Sequence, residues 1–153
     1  MDINNSSVII TGGGSGLGAA TAKLLSEKTS KIALLDVHIE GAKETAKKIN
    51  GLAIECDVSD PDSASKAISL AKEAHGTAKI LVNCAGIGPG AAVVGRTGPV
   101  DLDWFEKTVS VNLTGTFNMI RLTAANMIKE EPNQEGERGV IINTGSTSAY
   151  EGQ

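Results

Sequence analysis

Eight residues, Thr11-Gly12-Gly13-Gly14-Ser15-Gly16-Leu17-Gly18, lie between a β-branched run, Ser7-Val8-Ile9-Ile10, and a stretch with apolar residues at helical spacing, Leu17, Ala20, Leu24 and Leu25. A glycine turn between a strand and a helix leaves bare backbone N–H groups at the helix N-terminus, where hydrogen bonds and the helix dipole hold an anion. The window reads as GxGxxA over residues 14–19, or as GxxxGxG on Gly12, Gly16 and Gly18. Either suits the pyrophosphate of a dinucleotide, and a glycine near position 18 also lets helix and strand pack closely. A Walker A loop needs Lys after its last glycine, and Ala19 stands there instead.

Similar apolar runs recur at Ile32-Ala33-Leu34-Leu35, Leu52-Ala53-Ile54, Ile80-Leu81-Val82 and Val140-Ile141-Ile142, which predicts five buried strands. Helical spacing returns between them at Ala42, Ala46 and Ile49, then at Ala64, Ala67, Ile68 and Ala71. Continuous apolar strands alternating with amphipathic helices require a parallel sheet covered on both faces by right-handed crossovers. The expected class is α/β, a doubly wound parallel sheet of the Rossmann type, in one domain over residues 1–153. Asp60-Pro61 reads as an N-cap followed by proline at the first helical position. The Gly/Pro-rich residues 87–101 form a loop longer than a plain connection needs, and such loops often face a substrate. A long helix is expected from about Val111 to Lys129, followed by a solvated loop from Glu130 to Arg138.

Hydrophobic residues at 41% and charged residues at 21% match a soluble globular chain, and no apolar run nears the roughly 20 residues that cross a bilayer. The first residues lack the features of a signal or transit peptide, so a cytoplasmic location away from membranes is expected. A net charge of −4 with 3% aromatics argues against a nucleic-acid partner. Cys56 and Cys84 are too few and too far apart for a zinc cluster or a CxxC pair, so they read as buried, reduced side chains, and no metal site is expected. His38 and His75 read as surface residues.

Asp36 ends the second apolar run, 18 residues after Gly18, close to where an acidic residue of this fold meets the adenosine ribose. A carboxylate there accepts both ribose hydroxyls, whereas a 2′-phosphate would meet like charge at a cost on the order of 1–4 kcal/mol. The expected cofactor is therefore NAD rather than NADP. Cys56-Asp57-Val58 and Asn83-Cys84-Ala85-Gly86 close the third and fourth strands on the carboxyl edge, where open α/β sheets bind ligands. Asp57 could accept from an adenine amino group, and Asn83 to Gly86 could lie against the adenosine. Turn chemistry accounts equally well for each taken alone.

Together with Val111-Asn-Leu-Thr-Gly-Thr-Phe-Asn118 and Ile142-Asn-Thr-Gly-Ser146, these motifs in this order and spacing resemble the short-chain dehydrogenase/reductase family along the whole chain. Residues 131–134 and 139–153 are similar to family members that act on 3-hydroxyacyl-CoA. The resemblance implies Ser15, Leu17, Asp36, Asp57, Val58 and Cys84 as NAD contacts, Cys84 through its backbone. It implies catalytic roles for Ser146, bonded to the substrate oxygen, and for Asn112, which holds a proton-relay water. The implied reaction passes hydride from a small-molecule secondary alcohol, such as a 3-hydroxyacyl-CoA or a steroid, to NAD. A homo-oligomer is implied for the full-length protein, with the helix from Val111 to Lys129 packed between subunits.

The family's general acid/base pair, Tyr-x-x-x-Lys a dozen or so residues past the serine, has no counterpart before Gln153. Tyr150, the only tyrosine, lies four residues past Ser146 and reads as an aromatic packing position. The sequence is expected to be the amino-terminal part of a longer protein, with an open edge on its fifth strand and apolar surface uncovered. Loss of a positioned acid/base typically costs about 10²- to 10⁴-fold in rate, which makes a catalytically incomplete NAD-binding fragment the alternative. A methyltransferase would share the glycine turn and the strand-end acid, but it gives no reason for Asn112 and Ser146 in register.

Overall fold

The computed structural model describes residues 2–88 and 90–151, so Pro89 of the Gly/Pro-rich loop and Gln153 lie outside the described residues. Five parallel strands form one sheet: β1 (Val8–Thr11), β2 (Ile32–Asp36), β3 (Leu52–Glu55), β4 (Ile80–Asn83) and, after an intervening two-strand hairpin, β7 (Val140–Asn143). Their spatial order is β3-β2-β1-β4-β7. The chain winds outward from β1 to β3 and then returns to place β4 on the other side of β1. That reversal opens a crevice at the carboxyl ends of β1 and β4.

Helices α1 (Gly16–Leu25), α2 (Ile39–Ile49) and α3 (Pro61–His75) make the crossovers. Alternation along β1 sends Val8 and Ile10 to one face, packed with Ala22, Ala42 and Ala46, and Ile9 to the other, packed with Ala64, Ala67, Ile68 and Ala71. Two-sided burial explains why the strands read as continuous apolar runs. Asp60 caps α3, accepting from the Ser63 N–H at 2.7 Å with Pro61 following, as expected.

On α1 the inward face differs from the expected one. Gly18 and Ala22 are buried, whereas Leu17 and Leu24 are 66% and 67% exposed. At Gly18 the helix lies so close to the sheet that a side chain would not fit, whereas Leu25 at its end packs on the core as expected. Residues 87–101 carry a small hairpin, β5 (Val94–Gly95) with β6 (Gly98–Pro99). The following helix also starts earlier than Val111: α4 (Leu102–Val109), capped by Asp101, runs through a π-helical segment, Ser110–Gly115, into α5 (Thr116–Met127). A short α6 (Ser148–Glu151) follows β7.

Tyr150 is 93% exposed and packs no core, and no residue of α6 is buried. His75 is half-buried rather than a surface residue, and its Nε2 is buried without a hydrogen-bond partner among the described residues. Cys56 is buried as expected, but Cys84 is only partly covered. Among the described residues β7 pairs with β4 alone, so the fifth strand has the open edge expected of it, but it is not the buried strand expected: none of its residues is buried, and Val140 and Ile142 are 39% and 50% exposed. Among the described residues no helix is long and apolar enough to cross a membrane.

Candidate functional site

The crevice between β1 and β4 is a groove of about 480 Å³. Gly12, Ser15, Gly16, Leu17, Gly18, Asp36, Asp57, Val58, Cys84, Ala85 and Gly86 all line it. These residues come from four separate strand ends, brought to one edge by the parallel register of β1 with β2 and β4 and of β2 with β3.

Two glycines make the groove possible. Gly12 has φ +66°, and a Cβ there would lie 2.8 Å from the Ala85 N and 2.9 Å from the Cys84 carbonyl carbon. A side chain on Gly18 would run into the Gly12 carbonyl oxygen. The turn therefore lies flat against the end of β4, and α1 begins directly behind it. Ser15, the N-cap, makes no side-chain cap hydrogen bond, and the first turn of α1 holds no acidic residue. The leading amides of α1 lack intrahelical acceptors and no carboxylate in that turn neutralises the dipole. Such a floor offers unpaired amides and an uncompensated helix dipole to an anion.

Asp36 is half-buried at the groove wall, its Oδ2 accepting from the Gly14 N–H at 2.8 Å and its Oδ1 from the His38 N–H at 2.9 Å. Each oxygen retains acceptor capacity, since an ionised carboxylate offers about four lone-pair sites. Asp57 stands further along the same wall. Its Oδ1 accepts from the Ser59 hydroxyl at 2.6 Å and the Ser59 N–H at 2.9 Å, and its Oδ2 lies 4.0 Å from Lys107 Nζ. The Ser59 hydroxyl holds the Asp57 carboxyl below its ordinary range, partial burial opposes that, and the Ser59 N–H and Lys107 add to it.

Val58 is fixed from behind. Asn118, buried in α5, donates to the Val58 carbonyl at 2.9 Å, and a Cβ on Gly115 would stand 2.6 Å from Val58 Cγ2. Asn112, in the π-helical segment, holds the backbone of Ile87 just past the Asn83–Gly86 stretch. One Nδ2 hydrogen and one Oδ1 lone pair of this exposed side chain remain available to a water.

Asn83 is not among the residues that line the groove. It is 3% exposed, donates to Asn143 Oδ1 at 2.9 Å and accepts from the Thr11 hydroxyl at 3.4 Å. The buried end of β4 needs a partner on each side, and the amide supplies both. Ser146 is exposed on the loop after β7, on the carboxyl edge but outside the groove lining, and its Oγ accepts from the Ser148 N–H at 3.2 Å.

Lys107, His38, Ile87 and Val111 also line the groove and escaped the sequence reading. Lys107 had a signal: Asp101 is an N-cap whose side chain accepts from the Asp103 N–H at 3.2 Å, which starts a helix early enough to include it. A larger depression of about 830 Å³ runs beside β3 and α3, without the glycine turn. Cys56 lies in the core, where burial pushes its thiol up to about 11. Among the described residues no group of three or more His, Cys, Asp or Glu is placed to hold a metal ion.

The curated human protein 3-hydroxyacyl-CoA dehydrogenase type-2 is 43% identical over 153 residues, 95% of this chain and 57% of that protein. Its Drosophila melanogaster namesake is 37% identical over 99% of this chain and 61% of its own length. Among solved structures, 3-hydroxyacyl-CoA dehydrogenase type-2 from Mycobacterium avium superposes with a TM-score of 0.87 at 33% identity, over 97% of this chain and 60% of that one. The chain thus spans about 57–61% of the length of these relatives. The family model described as short chain dehydrogenase matches residues 6–153, taking in the glycine turn, the strand-end acids and the β7 loop. With the sheet order and the groove residues in agreement with that match, the chain belongs to the short chain dehydrogenase family.

Proposed function

We propose that residues 1–153 form an NAD-binding domain and that the whole protein is an NAD-dependent oxidoreductase acting on a secondary alcohol, such as a 3-hydroxyacyl-CoA. The observation that carries the cofactor reading is the groove itself: every residue assigned to NAD except Asn83 lines one continuous cavity with an uncapped helix N-terminus as its floor. The names of the relatives support the substrate class.

In this reading the amides of Ser15, Gly16 and Leu17 hold the pyrophosphate, and the free lone pairs of Asp36 accept the ribose hydroxyls. Asp57 and Val58 flank the adenine, and the backbone of Cys84, Ala85 and Gly86 lies along the adenosine. When bound, NAD supplies the hydride acceptor. Ser146, on the carboxyl edge, orients the substrate oxygen, and Asn112 holds the relay water.

The 153 residues contain no Tyr-x-x-x-Lys, and Tyr150 projects into solvent. Binding without turnover is therefore the behaviour proposed for this chain by itself. Self-association of the full-length protein is supported by Trp104, Phe105, Leu113 and Phe117, more than half exposed along α4 and α5. The unpaired thiols of Cys56 and Cys84 suit a reducing compartment such as the cytoplasm.

Calorimetry with NAD and with NADP tests the cofactor reading. Heat of binding with NAD, and at least tenfold weaker binding of NADP, is the expected outcome; no heat with NAD at millimolar concentration overturns it. NAD-linked oxidation of 3-hydroxyacyl-CoA by the full-length gene product tests the activity.

A further inference from the structure

Gly14 is at the centre of the glycine turn, yet it does not line the groove. Its N–H is taken by Asp36 Oδ2 at 2.8 Å, and its carbonyl accepts from the Thr45 hydroxyl at 3.5 Å. A Cβ on Gly14 would lie 2.9 Å from both Asp36 Oδ2 and the Ala42 N. Gly13 is tied to the same strand, its N–H donating to the Leu35 carbonyl at 3.2 Å. The middle of the turn is thus fastened to the end of β2 and the start of α2, while its flanks, Gly12 and Ser15 to Gly18, face the groove.

Asp36 makes the fastening two-sided. Its second oxygen takes the His38 N–H at 2.9 Å, so one carboxylate joins the β1–α1 turn to the β2–α2 turn. We infer that Asp36 is a positioning residue for the anion cradle: through Gly14 it sets the direction of the Ser15, Gly16 and Leu17 amides, in addition to receiving the ribose. This inference deepens the NAD reading and rests on it.

The consequence concerns specificity. A carboxylate that only repelled a 2′-phosphate could be removed to exchange NAD for NADP. A carboxylate that also holds the turn cannot, because its loss leaves the Gly14 N–H without an acceptor and frees the residues that grip the pyrophosphate common to both dinucleotides. Asp36→Ala then weakens NAD without gaining NADP.

The test uses the whole 153-residue chain without ligand first. Amide hydrogen exchange is followed by NMR in the wild type, Asp36→Ala and Asp36→Asn, with the β1 amides as the folding control. Loss of one hydrogen bond with little else changed should speed Gly14 exchange on the order of tenfold in Asp36→Ala. In Asp36→Asn one of the two amides, Gly14 or His38, should be released, because the side-chain amide keeps a single acceptor oxygen.

Titration with inorganic pyrophosphate, which has no ribose, should then be at least threefold weaker for Asp36→Ala, and NADP should bind no better than to the wild type. If Gly14 stays as protected as in the wild type, pyrophosphate is unaffected and NADP affinity rises, Asp36 is a ribose receptor alone and the inference is overturned. Should the Ala variant fail to fold, the Asn variant decides the matter: equal protection of both amides overturns the inference. A wild type that ignores NAD overturns the cofactor reading, whereas the amide exchange tests the strut without any ligand.

Discussion

Asn112 and Ile87 form a reciprocal pair: Asn112 Oδ1 accepts from the Ile87 N–H at 2.9 Å, and Asn112 Nδ2 donates to the Ile87 carbonyl at 2.8 Å. One side chain thereby satisfies both backbone groups of a residue on the loop past β4, as a neighbouring strand would. Gly86 lies just before it, where a Cβ would be 3.4 Å from the same Oδ1. The Gly86 side of the groove is held to the π-helical segment by this contact.

Replacing Asn112 with Ala removes both bonds. The site is exposed, so water compensates in part, and the expected loss of stability is about 1 kcal/mol in urea unfolding. NAD affinity should fall severalfold because Gly86 and Ile87 lose their anchor. Asn112→Asp should do no better, since its carboxylate faces the Ile87 carbonyl. An Asp variant with unchanged affinity and stability contradicts the pairing.

The strands, the first three helices and the site edge were legible because two-sided burial writes itself as β-branched runs and because Ala64, Ala67, Ile68 and Ala71 all face inward as spaced. What escaped has physical reasons too. The π-helical segment breaks the helical period, so α4 and Lys107 fall between the loop of residues 87–101 and the helix expected from about Val111. Leu17 and Leu24 carry the larger apolar signal on α1, but the close approach permitted by Gly18 turns the small residues inward. Asn83 has the composition of a turn and the environment of a core. Tyr150 looked like a packing residue because tyrosines usually are, and nothing in its local sequence says that α6 buries no residue.

Gly115→Ala should destabilise, although a helical Gly→Ala change ordinarily stabilises. Helix propensity favours Ala by about 1 kcal/mol, but the new methyl meets Val58 Cγ2 at 2.6 Å in a buried contact. Overpacking of that kind costs about 1–3 kcal/mol. The melting temperature should drop by several degrees, with weaker NAD binding as Val58 is pushed into the groove. A rise in melting temperature tells against the contact.

Asp57 links the site to pH. Its folded-state carboxyl is held down, chiefly by the Ser59 hydroxyl, so its contribution is present above the unfolded aspartate value of about 3.9 and is lost as pH falls through the lower folded value. The carboxylate is more than a third exposed, so solvent screening keeps the effect small. Ser59→Ala should move the Asp57 titration upward in a carboxyl-detected NMR experiment. An unmoved titration means that the hydroxyl does not set it.

The two thiols should separate cleanly in a labelling experiment. Cys56 is 2% exposed and its thiol is pushed up to about 11 by burial, so at pH 8 it should react only when the chain unfolds. Its folded value exceeds the unfolded one, so its contribution to stability is intact below the ordinary thiol range and declines as pH rises toward about 11. Cys84 lines the groove and is partly covered, so it should label first, and saturating NAD should slow it. Mass spectrometry of labelled peptides reads both rates. Faster labelling of Cys56 than of Cys84 in the native chain contradicts the burial.

Self-association of this chain is expected to run through the β7 edge. β7 is paired on one side only, and Ile142 and Val140 line an apolar hollow with Ile3, Leu25, Ile80 and Val82. An unpaired strand with apolar side chains beside it is a template for another chain, and natural sheets blunt such edges with lysine. Ile142 is 50% exposed and outside both buried clusters, so Ile142→Lys removes little core packing. The variant should therefore stay monomeric at protein concentrations where the wild type self-associates, with a melting temperature within a few degrees of it. Light scattering coupled to gel filtration separates the two outcomes. If Ile142→Lys aggregates as readily as the wild type while Phe117→Lys does not, the association runs through α5 instead, where Phe117 is 62% exposed.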